Sequence, residues 1–138
     1  MDLAKIDLKA AAEEGIEIRL QHPSTGEYLT DENGDSLTIT MLGKDSSTWQ
    51  NAAKRVNARN ANRYKGKTVP SSAMEAALYE ILAESTLKWS KNIEFEGAVL
   101  KCTRENASML YEQRNWIAEQ VMEGAGERAN YVFTLPKG

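Results

Sequence analysis

The chain has 138 residues, 41% of them hydrophobic and 27% charged, which suits one globular domain with a real core and excludes wholesale disorder. A net charge of −3 supplies no global basic field for a polyanion. A single cysteine, Cys102, excludes an internal disulfide and a cysteine-built zinc site, so the chain reads as intracellular and reduced.

The first segment is acidic and lacks the long apolar core of a signal peptide. Apolar runs elsewhere are only a few residues, against the ~20 needed to span a bilayer. Residues 2–14 read as a helix or arm, with Leu3, Ile6 and Ala10 at helical spacing, Asp2 as a cap and Gly15 as the stop. Ile16, Ile18 and Leu20 alternate with Glu17, Arg19 and Gln21, the pattern of a half-buried strand. The His22–Gly26 cluster is a turn, and Tyr28 to Thr30 is expected to return as a second strand. Asn33-Gly34 is the strongest hairpin signal in the chain, because both residues tolerate positive φ. Ser36 to Leu42 alternates again, with Leu37, Ile39 and Met41 on one face. Residues 16–42 therefore predict a small antiparallel sheet.

A helical half follows. Asp45, Ser46 or Ser47 can cap a helix that carries Trp49, Ala52, Ala53 and Val56 on one side and runs to about Tyr64. Pro70 with Ser71 or Ser72 opens the next helix. Its apolar stripe is Met74, Ala77, Leu78, Ile81 and Leu82, with Glu75, Glu80 and Glu84 mostly opposite, and it is expected to end near Trp89. Ile93, Phe95, Ala98 and Val99 suggest an extended segment bent at Gly97. Thr103 is a good N-cap, with Glu105 in the first turn where the helix dipole favours an anion. Asn115 restarts a helix with Trp116, Ile117, Gln120 and Val121, which Gly124 and Gly126 are expected to break. Arg128 to Phe133 form a short last turn or helix. The expected fold class is α+β in a single domain, residues 1–138: a small N-terminal antiparallel sheet over 16–42, four to five helices over 45–133, and a tail at 134–138.

No catalytic constellation stands out. Asp31, Glu32, Asn33 and Asp35 resemble half a calcium loop, but position twelve is Leu42, which cannot ligate, so a hairpin turn fits better. His22 is the only histidine, no nucleophile elbow surrounds any serine, and Cys102 reads as a small buried hydrophobe rather than a catalytic thiol. No phosphate-cradling glycine motif occurs. The expectation is a protein that is not an enzyme and takes no cofactor or metal.

Two features suggest binding. Lys54, Arg55, Arg59, Arg63, Lys65 and Lys67 form a run of six basic residues with no acid among them. That run is either a solvated helix face or a docking surface for an acidic partner or nucleic acid. Three tryptophans, Trp49, Trp89 and Trp116, are core candidates, and one at a surface groove would suit helix-in-groove recognition.

The C-terminal half carries an ordered series: Trp89, the segment to Thr103, then "TRENASMLY", "WIAEQV" and "ERANYVF". With the earlier "LQHPSTGEYL", this series resembles the tail assembly chaperones of long-tailed (siphovirus-type) bacteriophages, over most of residues 16–133. The motifs are structural rather than catalytic, and the N-terminal helix has no counterpart in the resemblance. The resemblance implies a protein of the host cytoplasm that binds the tape measure protein while tail tube protein polymerises around it, and that is absent from the mature virion. It implies many copies, with self-association head to tail, and a longer form made by ribosomal frameshifting. The Leu135–Lys137 tail would suit such a frameshift, if its codons form a slippery repeat. The expected partner-binding residues are Lys54, Arg55, Arg59 and Arg63 on one helix and Trp116, Ile117 and Val121 on another, the last three reading more readily as ordinary core. Competing expectations are a head–tail joining protein and a small nucleic-acid-binding regulator using residues 54–67, although the overall charge makes nucleic acid and membrane poor partners.

Overall fold

The computed structural model describes residues 1–132, and among these the fold is α+β: five α-helices, a three-stranded antiparallel sheet and a separate two-stranded one. Phe133 and the Leu135–Gly138 tail lie outside the described residues.

The N-terminal arm is two short pieces rather than one helix. Asp2 caps a 3-10 turn, Leu3–Lys5, by accepting the Ala4 N–H at 3.0 Å. Asp7 then caps α1 (Leu8–Glu13) by accepting the Ala10 N–H at 3.0 Å. Each aspartate offers the backbone a local acceptor that competes with helix continuation, so the helix restarts at Asp7. Leu3 and Ile6 are consequently exposed, while Ala11 and Ala12, with Leu8 packed against them, form a small core with Ile16 and Tyr131.

β1 (Ile16–Arg19) pairs antiparallel with β2 (Thr38–Met41), setting Ile16 opposite Met41 and Ile18 opposite Ile39. The expected strand at Tyr28–Thr30 is reduced to single bridges, Gln21 with Tyr28 and Thr30 with Ser36. The Asp31 carboxylate organises the intervening loop, accepting the Asn33 and Asp35 amides at 2.9 and 3.0 Å. Gly34 takes positive φ there, and Asn33 does not.

α2 (Ser47–Arg63) begins where Ser46 accepts the Trp49 N–H at 3.2 Å. α3 (Ser71–Ser85) follows Pro70 and packs along α2 through Ala52, Val56, Ala77 and Ile81. It ends four residues before Trp89 and passes directly into β3 (Thr86–Trp89), the third strand of the sheet, with Trp89 opposite Ile39. The sequence pattern carried the helix through this segment. In the structure Thr86 turns extended at the helix end, its N–H bonding the Ala83 carbonyl and its hydroxyl the Leu82 carbonyl at 2.7 Å, two acceptors the terminating helix leaves open.

β4 (Glu94–Phe95) and β5 (Ala98–Val99) form a hairpin around Glu96 and Gly97, at φ of 52° and 85°. Two successive positive φ values make a type I′ turn, which matches strand twist. Thr103 caps α4 (Arg104–Gln113), its hydroxyl accepting the Asn106 N–H at 3.1 Å. α5 (Asn115–Gly126) runs through Gly124, which was expected to break it, and ends at Gly126. At Gly124 a Cβ would meet Ile18 side-chain atoms at 2.7 Å, so glycine here lets the helix lie against β1. The main core sits between sheet and helices α3, α4 and α5, built on Ile39, Met41, Leu82, Leu110, Tyr111 and Val121.

A clasp closes the far end. Asp45 takes a two-point bond from Arg128 at 2.9 and 2.8 Å and a third from the Tyr131 hydroxyl at 2.8 Å. The Arg128 bond, then the Tyr131 bond, hold the Asp45 carboxyl below its usual 3.8, against burial, which raises it.

Two outcomes test this architecture. Thr103→Ala should lower stability by about 1 kcal/mol in urea unfolding, and an unchanged midpoint would remove the cap assignment. Asp45→Asn should cost ~1 kcal/mol at neutral pH. Because the folded carboxyl titrates below 3.8, its contribution is complete above that value and vanishes as pH falls through the lower folded one. Wild type and variant should therefore converge in thermal melts only at strongly acidic pH; a constant gap down to the acid limit would count against the clasp.

Candidate functional site

The basic run lies on the exposed flank of α2 and its following loop, and it is not uniform. Arg59 meets Glu80 of α3 at 2.5 Å. Arg55 meets Glu84 at 2.5 Å and Glu80 at 3.6 Å, and Arg104 of α4 also pairs with Glu84. These contacts form a ladder tying α2, α3 and α4 together. The hydrogen bond from Arg59 holds the Glu80 carboxyl below its ordinary range despite partial burial. Lys54, Arg63, Lys65 and Lys67 are exposed and make no ion pair among the described residues. Arg55 and Arg59 are thus committed within the chain, and a partner would meet the other four.

The second expected surface lies mostly in the interior. Val121 is 0% and Ile117 6% exposed, both in the main core, and Trp116 is half-buried against it. α5 is sandwiched between α4 and the sheet, so its apolar stripe faces inward. Trp89 is also buried, its indole N–H donating to the Leu100 carbonyl at 2.8 Å, and Trp49 is half-buried beside α3.

The polar candidates from the sequence have structural partners. His22 Nδ1 accepts the Ser24 and Thr25 amides at 3.1 and 3.3 Å, fastening its own turn. Burial pushes the Cys102 thiol up, outweighing a hydrogen bond from the Trp89 N–H that favours the thiolate. Asn92 donates to the Asp31 carboxylate at 2.9 Å and is the main reason that carboxyl sits below its usual range. Among the described residues, no group of three or more His, Cys, Asp and Glu side chains is placed to hold a metal ion.

Among the described residues, an apolar recess of about 320 Å³ lies between α2 and α3. Asn57 and Ala61 form one wall, Met74, Leu78 and Ile81 the other, and Val69 closes the end. Small residues make it: Ala61 and Ala77 leave room where longer side chains would meet. Met74 stands 61% exposed at its rim. The sequence placed Met74 in the buried stripe of its helix. The signal that it faces a gap was the alanine content of α2 opposite it. Lys54 shares the Asn57–Ala61 stripe of α2 by helical spacing, at i, i+3 and i+7.

Comparison of the chain with protein-family models, curated proteins and solved structures returned no match. Among the described residues no helix is long and apolar enough to cross a membrane.

The division of the basic run is open to measurement. Arg55→Ala with Arg59→Ala should lower the unfolding midpoint, because Glu80 loses both of its partners and Glu84 keeps only Arg104. Lys54→Ala with Arg63→Ala should stay within ~0.5 kcal/mol of wild type. Equal losses for the two pairs in chemical unfolding would show that the ladder carries no special weight.

Proposed function

We propose that the protein is an assembly chaperone for the tail of a long-tailed bacteriophage, acting in the host cytoplasm on the tape measure protein. The observation that carries this reading is the α2–α3 recess with Met74 at its rim. An apolar trough along two helices suits the apolar stripe of a client helix. Methionine adapts to varied side chains, which suits a client with many non-identical helical segments. The exposed cations Lys54 and Arg63 lie on the same helix and keep the surface around the trough charged and soluble. The partners His22, Cys102 and Asp31 have within the chain also favour a protein that works through its surface. Recruitment of tail tube protein by a longer form, and absence from the mature virion, belong to the same proposal.

Co-expression with the tape measure protein of the same genome tests it. A soluble complex that co-purifies, with the chaperone missing from finished particles, is the expected result. Failure to form that complex, or a stoichiometric place in the particle, would overturn the reading. Met74→Glu should weaken capture by about tenfold, because a carboxylate would be desolvated in an apolar trough. It should leave the melting temperature unchanged, since Met74 is exposed in the free protein.

A further inference from the structure

The sheet has two outer edges, and they differ. Beside β3 the chain returns, the Trp89 indole N–H donating to the Leu100 carbonyl at 2.8 Å. β1 is the other edge strand.

Its free bonding groups follow from register. Leu20 N–H donates to the Leu37 carbonyl at 2.9 Å, in the same register that sets Ile18 against Ile39. Antiparallel residues alternate between bonding inward and outward, so Ile16, Ile18 and Leu20 bond to β2. Glu17, Arg19 and Gln21 direct their backbone N–H and C=O outward. At Gln21 both groups are taken by one side chain: Gln120 accepts the N–H at 2.9 Å and donates to the C=O at 2.8 Å. That carboxamide imitates one residue of a neighbouring strand. The matching groups of Glu17 and Arg19 bond to nothing among the described residues, and they border a recess of about 500 Å³ walled by Tyr28, Gly124, Asn130 and Val132.

The side chains there are self-complementary. Glu17 and Arg19 lie two apart on the outer face of β1. Two antiparallel copies centred on Ile18 set Glu17 of each opposite Arg19 of the other. Like charges at both positions would repel a second copy, as protected edges commonly do. Glu-x-Arg instead pairs with itself. Arg19 is also positioned in advance: its guanidinium stacks 3.9 Å from the Tyr28 ring centre, and its Nε donates to Ser36 at 3.2 Å. Stacking leaves the in-plane η nitrogens available to a carboxylate.

We propose that β1 is a homodimerisation edge, pairing with β1 of a second copy about a two-fold axis through Ile18. Glu17 and Arg19 of each copy then exchange both backbone bonds, four in all, and two crossed Glu–Arg pairs close over them. Gln120 limits the ladder at Gln21. The interface is isologous and closes at two copies. It is small, so association is weak and concentration-dependent. The inference stands without any client, so it and the chaperone reading fail separately.

Sedimentation velocity on the full chain over a concentration series tests it, read with amide exchange at Glu17 and Arg19. Wild type should approach twice its monomer mass as concentration rises, with those two amides gaining protection in step. Glu17→Arg and Arg19→Glu should each weaken dimerisation by about tenfold or more, because each replaces two attractive cross-strand pairs with two repulsive ones. An equimolar mixture of the two variants should recover association, since arginines of one then face glutamates of the other. That recovery also shows that both variants fold. A monomer at every concentration overturns the proposal, as does a dimer indifferent to either variant or a mixture that stays monomeric. Protection of both amides independent of concentration assigns the edge to the chain itself and overturns it too.

Discussion

Tyr111 is the largest side chain with no contact with water, and the fold is arranged around satisfying its hydroxyl. That hydroxyl lies 2.7 Å from Thr86 Oγ1, and Thr86 in turn donates to the Leu82 carbonyl at 2.7 Å. One relay therefore completes two groups that burial would otherwise leave unpaired, each a cost of about 1–3 kcal/mol. Burial pushes the phenol well above its ordinary range, so it serves as a neutral donor throughout the accessible pH range. Met41 of β2 closes the pocket, its sulfur 3.7 Å from the same oxygen. Helix α4, the end of α3, the start of β3 and the centre of the sheet thus meet at one point. Thr86 is extended and already pairs with Met41 of β2, so α3 passes into β3 without a loop.

That junction also marks the limit of what the sequence disclosed. Periodicity gave the class, the helices α2 to α4 and the cap at Thr103, with Ser46 one of three candidates for the other cap, because these features are local. It missed β3, because Leu87, Lys88 and Trp89 continue a helical pattern acceptably, and the strand is set by pairing with Ile39, Thr40 and Met41, more than forty positions away. Gly124 was misread for a related reason. Inside a helix glycine is locally unfavourable by about 1 kcal/mol relative to alanine. The contact with Ile18 that requires it lies over a hundred positions away in the chain.

The candidate site was less legible than the fold. Six clustered cations read as a surface, but arginine reaches far enough to find an acid on the next helix, and spacing within α2 does not say which will. Glu80 and Glu84 stand one turn apart on α3, matching Arg59 and Arg55 one turn apart on α2. An antiparallel hairpin brings such pairs into register, so the ladder was implicit once the two helices were known to be neighbours. In the stripe Trp116, Ile117 and Val121, amphipathicity identifies an apolar face without saying what faces it. Here the sheet does.

The recess between α2 and α3 and the outer edge of β1 share no residue, so the two proposals are compatible: a client in the recess would leave the edge open to a second copy. A two-fold dimer presents two recesses. Binding at the second then benefits from an effective concentration set by the spacing between them, by factors of about 10² to 10⁴ where a client spans both. Neither contact needs to be strong alone. The recess is shallow and apolar, and the edge offers four backbone bonds and two solvent-facing ion pairs. A coat built this way grips a long helical client collectively. It can be displaced one site at a time, which a permanent interface of several thousand Å² would not permit. Weakness of each contact is therefore part of the function proposed.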